Sequence, residues 1–320
     1  MQSIRAHRTG PPSVLHLEEV DRPEPAAGEV LVQVQAAALN PPDWYARGGY
    51  QQIPEGLRPP VPLPYTPGTD VSGVVVGIGP GVTGWEEGDE VLGLLRFPRG
   101  GTGSARGYAQ FTTAPVEDLA RKPSHIDHIH AAAIPMAGLT AWQYLTEYAP
   151  IESGQTVLVN GAAGGVGHFL VQLARRAGAR VVAVASTAHA DFLRGLGVDE
   201  YIDYTTTHVA DAVKDVDHVF DTVGGPNGHL LIPAIRDGGV ISPVFFGDYG
   251  EDELVRRQIR HLGGQVRSNG NQLADLVKLV ASGDVRVAVD EVYPLAQAEQ
   301  AHERAERGHI QGKLVLEVTH

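Results

Sequence analysis

The stretch from Val157 to Gly167, VLVNGAAGGVG, runs an apolar segment straight into a turn built from the smallest residues. Ala162, Gly164 and Gly167 take the spacing A-x-G-x-x-G, and Gly161 and Gly165 add further room. Small residues at that spacing permit a tight bend after a strand, close approach of backbone to a pyrophosphate, and close packing of the next helix on the strand. The free N–H groups that open such a helix face phosphate with a favourable dipole. The pattern predicts a bound nicotinamide dinucleotide, because it follows an apolar strand, precedes the helical stretch HFLVQLARRAG and sits in a longer β-α series.

Cofactor choice is set at the end of the next strand. An acidic side chain there would accept from the ribose hydroxyls of NAD and repel a 2′-phosphate. Ser186 and Thr187 stand at that place, with no carboxylate before Asp191. The hydroxyls favour NADP over NAD.

Cysteine is absent from the 320 residues, which removes disulfides, thiolate zinc sites, iron–sulfur clusters and cysteine nucleophiles together. Chemistry must come from oxygen, nitrogen or a cofactor. His125, His128 and His130 fall close together on a stretch that Ser124 could cap. No carboxylate pattern completes a ligand set around them, so they read as the polar face of an amphipathic helix, and no metal site is expected.

The formal charge of −13 and the lack of a basic stripe argue against a nucleic-acid surface. No apolar run reaches the ~18 residues that a membrane span needs. The first residues show no apolar signal segment, and a cytoplasmic protein is expected.

The elements that must position these groups fall into two textures, and the length alone favours two domains. Up to about Lys122 the chain reads as short strands broken by Gly and Pro: GEVLVQVQAAAL, DVSGVVVGIG, GDEVLGLL and GYAQFTTAP. From Pro123 strands alternate with helical stretches. The strands are expected at 156–160, 180–185, 200–204, 218–223, 239–247 and 264–269, an alternation that demands a parallel sheet covered by helices. After Asn269 come helix, strand, helix and a last strand, GKLVLEV, suited to return to the first β unit.

With the fingerprint placed, the chain resembles the medium-chain dehydrogenase/reductase superfamily, in its zinc-free quinone oxidoreductase branch related to zeta-crystallin. The likeness covers nearly the whole chain. It rests on EVLVQVQAAALNPPDWYARGG, PGTDVSGVVVGIGPGVTGWEEGDEV, RGYAQF, AAAIPMAGLTAWQYL, VLVNGAAGGVGHFLVQLARRAGA, VFDTVGG and GKLVLEV, in family order. The resemblance implies an α/β chain with a discontinuous GroES-like β-rich catalytic domain, 1–122 and 270–320. A Rossmann doubly wound parallel sheet domain, 123–269, would lie between. It implies a homodimer with the active site in a cleft. Carried over by position, Gly164, Gly165 and Val166 would lie on the pyrophosphate, and Ser186 and Tyr204 near the 2′-phosphate. Thr140, Val223, Phe246 and Gly247 would lie toward the nicotinamide, with Lys313 close to the cofactor. Asn40, Asp43 and Tyr45 would line the substrate side. Asp43 could equally cap a helical turn beginning near Trp44.

Zinc-dependent relatives carry a cysteine near Asn40 and a His-Glu pair at Thr69-Asp70, so the family's catalytic metal is not expected. The lysine that many quinone oxidoreductases place after the second Rossmann strand is also missing, from the segment STAHADFLR. Without a metal to stabilise an alkoxide, conjugated acceptors are favoured, since they spread negative charge along their own π-system. The expected reaction is hydride transfer from NADPH to a quinone or α,β-unsaturated carbonyl, with Tyr45 or solvent as proton donor and Asn40 and Asp43 positioning the reactants. Two alternatives stand beside it: an enoyl-thioester (polyketide-type) reductase, and an NADPH-binding protein of structural or regulatory role with little turnover.

Overall fold

The computed structural model describes residues 1–53, 55–96 and 106–319. The chain divides into two compact units, Met1–Leu139 with Arg267–His320, and Thr140–Val266.

In the second unit, strands of buried Val, Ile and Ala alternate with helices, as a sheet covered on both faces requires. The six strands are all parallel, ordered Glu200–Asp203, Arg180–Ala185, Thr156–Asn160, Val216–Asp221, Ile235–Pro243 and Arg260–His261. Counted along the chain this is 3-2-1-4-5-6. The order reverses at Thr156–Asn160, so a crevice opens at the carboxyl ends of that strand and Val216–Asp221. The edge strand is Arg260–His261, not the expected 264–269. Residues Gly264 and Gln265 are held otherwise: their carbonyls accept from the Tyr144 and Tyr148 hydroxyls at 3.0 and 2.8 Å.

The first unit is built around the strand Glu29–Ala38, whose alternating Val residues enter a core with Val71, Val75, Val91, Leu314 and Leu316. Its main sheet runs Val289–Pro294, Lys313–Glu317, Glu29–Ala38, Asp70–Ile78, Glu90–Leu94 and Leu119–Arg121, with Phe111–Pro115 also pairing Glu29–Ala38. The last strand therefore returns to the first part of the chain, antiparallel to Glu29–Ala38. The sequence set the division at 122/123 and 269/270. Residues 123–139 stand with the β-rich unit because Ala132 and Ala133 pack on Ala36, Ala38 and Val315.

Candidate active site and cofactor site

Strand register assembles a buried polar cluster in the β-rich unit. Ala38 pairs with Asp70 on one side and Val315 on the other. Two residues further along, Asn40 and Lys313 meet. The Lys313 ammonium donates to the Leu39 carbonyl at 2.7 Å and to Asn40 Oδ1, and lies 3.6 Å from Asp70 Oδ2. Asp70 Oδ1 accepts from the Met136 N–H at 2.9 Å. Asn40 Nδ2 donates to Thr69 Oγ1 at 3.0 Å and to the Ala38 carbonyl at 3.4 Å. The Asn40 amide is thus engaged at both its ends.

Asn40 also opens the helix Pro41–Arg47, where proline fits because the first helical N–H groups have no helical partner. The helix starts at Pro41, ahead of Trp44, and Asp43 sits in its first turn. The Asp43 carboxylate accepts from the N–H groups of Asn40 at 2.9 Å and Gly68 at 3.1 Å, tying the helix to the Gly68–Asp70 segment. It is wholly buried, so any effect of Asp43 on a reactant passes through Asn40 and Gly68. Burial pushes Asp43 up to about 7 and Asp70 up to about 6. Burial pulls Lys313 down, and the nearby carboxylates oppose that. Tyr45, on the same helix, is half-buried with its ring edge-on to Trp44, and burial raises its phenol. It holds its proton throughout the neutral range.

In the parallel-sheet unit, the glycine turn meets its packing requirements at Gly161 and Gly167. Gly161 has a φ of +73°, and a side chain on Gly167 would lie 2.2 Å from the Gly161 carbonyl oxygen. Gly164 differs. Its φ is −75°, and the nearest atom to an added Cβ is 3.4 Å away. No protein atom demands glycine there, so the open space suits a ligand that approaches the backbone. Gly164, Gly165 and Val166 are all partly exposed at the start of the helix Gly165–Arg176. This turn and helix fit the pyrophosphate of a dinucleotide.

Val223 and Phe246, 59% and 68% exposed, stand on the loops that follow Val216–Asp221 and Ile235–Pro243. Large apolar side chains at the carboxyl ends of adjacent strands suit a planar ring. These loops are fixed by a residue pair that sequence reading missed. Asp221 Oδ1 accepts from Asn160 Nδ2 and from the Val223 and Gly224 N–H groups, while its Oδ2 accepts from the Tyr249 hydroxyl at 2.8 Å. Gly225 and Phe246 are joined at 2.8 Å by a backbone bond. Gly247 leaves room for Tyr249: an added Cβ would lie 2.6 Å from its hydroxyl. The available signal was an Asp ending a strand just before two glycines. Thr140, at the unit's first residue, is buried in the helix Pro135–Gln143.

Ser186 is partly exposed beyond Arg180–Ala185, and Tyr204 is 49% exposed beyond Glu200–Asp203. Pairing of Ala185 with Asp203 sets these two positions side by side.

The histidines do not share one helix face. Asp127, rather than Ser124, caps the helix His128–Ala132, and His125 precedes it. His128 meets Ser72 and Glu90, His130 meets Asp127, and His125 meets the Ala281 carbonyl. Among the described residues no three His, Asp or Glu side chains gather as a metal group would need. The Asn40, Thr69 and Asp70 set does not fit zinc. It offers no thiolate or imidazole, and a lysine ammonium already faces its carboxylate.

The family model described as alcohol dehydrogenase GroES-like domain matches residues 26–124, and that described as zinc-binding dehydrogenase matches residues 196–316. The chloroplast envelope quinone oxidoreductase homolog of Arabidopsis thaliana is 32% identical, over 93% of this chain and 92% of its own. The chain belongs to the medium-chain dehydrogenase/reductase superfamily, in its quinone oxidoreductase-like branch. Within that superfamily it is also 34% identical to the NADPH-dependent alkenal/one oxidoreductase of Arabidopsis thaliana, over 95% of this chain and 76% of the relative. The structure of the quinone oxidoreductase from Coxiella burnetii superposes with a TM-score of 0.91 at 34% identity, covering 100% of this chain and 99% of that one. The GroES-like and Rossmann-like expectations for the fold stand, and the chain is an oxidoreductase that uses a nicotinamide cofactor.

Proposed function

We propose that this medium-chain reductase is NADPH-dependent and zinc-independent, and acts on a quinone or an α,β-unsaturated carbonyl. The observation that carries the reading is the buried cluster of Lys313, Asp70 and Asn40, where an ammonium serves as the local cation and the donor set is unsuited to zinc. A site of that kind offers little direct stabilisation to a simple alkoxide, whereas a conjugated acceptor disperses its own charge. The names of the quinone and alkenal/one oxidoreductase relatives support the same substrate class.

When bound, NADPH supplies the hydride from C4 of its nicotinamide. The chain's residues orient the reactants and exclude water. In this reading Gly164, Gly165 and Val166 lie on the pyrophosphate: the N–H groups of Gly165 and Val166 receive it, and Gly164, whose N–H donates to the Gly161 carbonyl at 3.0 Å, leaves room for it. Ser186 and Tyr204 flank the 2′-phosphate, while Thr140, Val223, Phe246 and Gly247 hold the nicotinamide side. Lys313 places positive charge beside the reactants. Asn40 and Asp43 shape the substrate-facing backbone, and the Tyr45 hydroxyl or solvent donates the proton that follows the hydride. The homodimer and the cytoplasmic location are further parts of this proposal.

The test is NADPH oxidation by purified protein against a panel of quinones, enals, simple ketones and enoyl thioesters. Turnover with the first two classes, exceeding simple ketones by a hundredfold or more in kcat/KM and unaltered by chelators, is the expected result. Efficient reduction of simple ketones that a chelator abolishes would overturn it.

A further inference from the structure

The segment after Arg180–Ala185 carries hydroxyls and no acid, yet an acid reaches it from the neighbouring strand. Asp203 ends the strand Glu200–Asp203 and pairs in register with Ala185, the residue just before Ser186. The Thr187 hydroxyl donates to Asp203 Oδ2. On the other oxygen, the Thr205 N–H and hydroxyl donate to Oδ1 at 2.9 and 2.7 Å. The carboxylate is therefore fixed at the surface, beside Ser186 and Tyr204. Val184, on the strand Arg180–Ala185, accepts from the Gly161 and Ala162 N–H groups at 3.1 and 3.0 Å, which ties the glycine turn to the strand end just before Ser186. A nearby cation, Arg194, is engaged by Asp191 at 2.9 Å and lies over the Tyr201 ring.

We propose that Asp203 is a cofactor-selectivity residue: its fixed negative charge opposes a 2′-phosphate and leaves the protein able to use NADH beside NADPH. The inference rests on the nicotinamide-dinucleotide reading above and adds to it a charge that the linear sequence does not place there. Three donors to its oxygens hold Asp203 below the usual carboxylate range, so the charge is present through the neutral range. A phosphate monoester brings nearly two negative charges at neutral pH, and repulsion between exposed groups a few ångströms apart amounts to about a tenfold effect on binding. The Thr187 hydroxyl is a donor that would otherwise suit a phosphate oxygen, and Asp203 occupies it.

The experiment measures binding of 2′,5′-ADP and of 5′-AMP to the full-length wild type, Asp203→Asn and Asp203→Ser by calorimetry. A chemical probe pair that differs only in the 2′-phosphate reads this subsite without reference to any acceptor. The expected result is about tenfold tighter binding of 2′,5′-ADP by both variants, less than twofold change for 5′-AMP, and a smaller gain in 0.5 M salt. The NADPH-to-NADH ratio of Kd values should shift by the same factor. An unchanged or weaker affinity for 2′,5′-ADP in the variants, or equal gains for both nucleotides, would overturn the role of Asp203. Binding of neither nucleotide by the wild type would sink the dinucleotide reading itself and the proposal with it.

Discussion

Lys313 Nζ stands 3.6 Å from Asp70 Oδ2, and both side chains are shut away from water. Removing one member of a buried ion pair leaves an uncompensated charge and costs about 3–5 kcal/mol. Lys313→Met should therefore lower the unfolding free energy by that amount in urea titrations. The double variant with Asp70→Asn should recover at least half of the loss. If the two single losses simply add, the residues are not coupled and the cluster is misread.

Gly164 and Gly167 should respond in opposite ways. An Ala at Gly167 drives its Cβ against the Gly161 carbonyl oxygen, and a loss of about 3 kcal/mol or more is expected from overpacking. Gly164→Ala meets only ordinary contact, so its melting temperature should stay close to the wild type. Its NADPH affinity, followed by fluorescence titration, should nonetheless fall at least tenfold, since the methyl group enters the space needed by the pyrophosphate. Equal stability and full NADPH affinity in Gly164→Ala would remove the turn from the cofactor site.

Tyr249→Phe deletes a single hydroxyl from the Asp221 oxygens, at a cost of about 1–3 kcal/mol for the partner left short of a donor. Hydrogen exchange should then quicken at Gly225 and Asp248, whose N–H groups join the two loops. KM for NADPH should rise severalfold with a lesser change in kcat. A variant with normal exchange at both amides would show that Asp221 holds the loops alone.

Buried ionisable groups give stability a two-sided dependence on pH. Burial lowers His218 and His302 to about 3, so the folded chain keeps them neutral while the unfolded chain takes up protons below about pH 6.5. Their contribution is present above pH 6.5 and is lost as pH falls toward 3. Asp43 and Asp70 act in the opposite direction. Their raised values mean that the folded state binds the extra protons, so stability declines as pH rises from about 4 to about 6 for Asp70 and about 7 for Asp43. His218 is the cleaner probe, since its Nε2 meets the neutral Ser242 Oγ at 2.8 Å and its ring stacks on Phe220. His218→Asn should shift the slope of unfolding free energy between pH 5 and 6.5 by about 1 kcal/mol per pH unit relative to the wild type. Parallel slopes would mean that His218 is protonated in the folded state.

What could be read from the sequence was local. The run Val157 to Gly167 carries its own strand, bend and helix start, and every spacing that matters falls within a few residues. The alternation of apolar strands and amphipathic helices from residue 156 onward required a parallel sheet without knowledge of any contact. The pairs that finish the sites are not local. Lys313 reaches Asp70 only because two different strands take Ala38 as a common neighbour, and no pattern near either residue states that register. Asp203 lies beyond the stretch in which an acid was sought, yet parallel pairing delivers it to Thr187. Tyr249 meets Asp221 from a loop whose course depends on the Gly225 and Phe246 backbone bond. Edge elements were hard for a related reason: residues 264–269 have the composition of a strand, but tyrosine hydroxyls take the carbonyls that a neighbouring strand would have used.

The return of Lys313–Glu317 to Glu29–Ala38 also sets an order of events during synthesis. All six strands of the parallel sheet lie between residues 156 and 261, so that unit can complete its fold while the ribosome is still adding the remaining residues. The β-rich unit cannot. Asp70 is made long before Lys313, the cation that faces it, which follows the whole parallel sheet in the chain. Until the strand Lys313–Glu317 pairs with Glu29–Ala38, the Asp70 carboxylate has no cation beside it and resists burial, so the polar cluster around Asn40 is completed only after the parallel sheet.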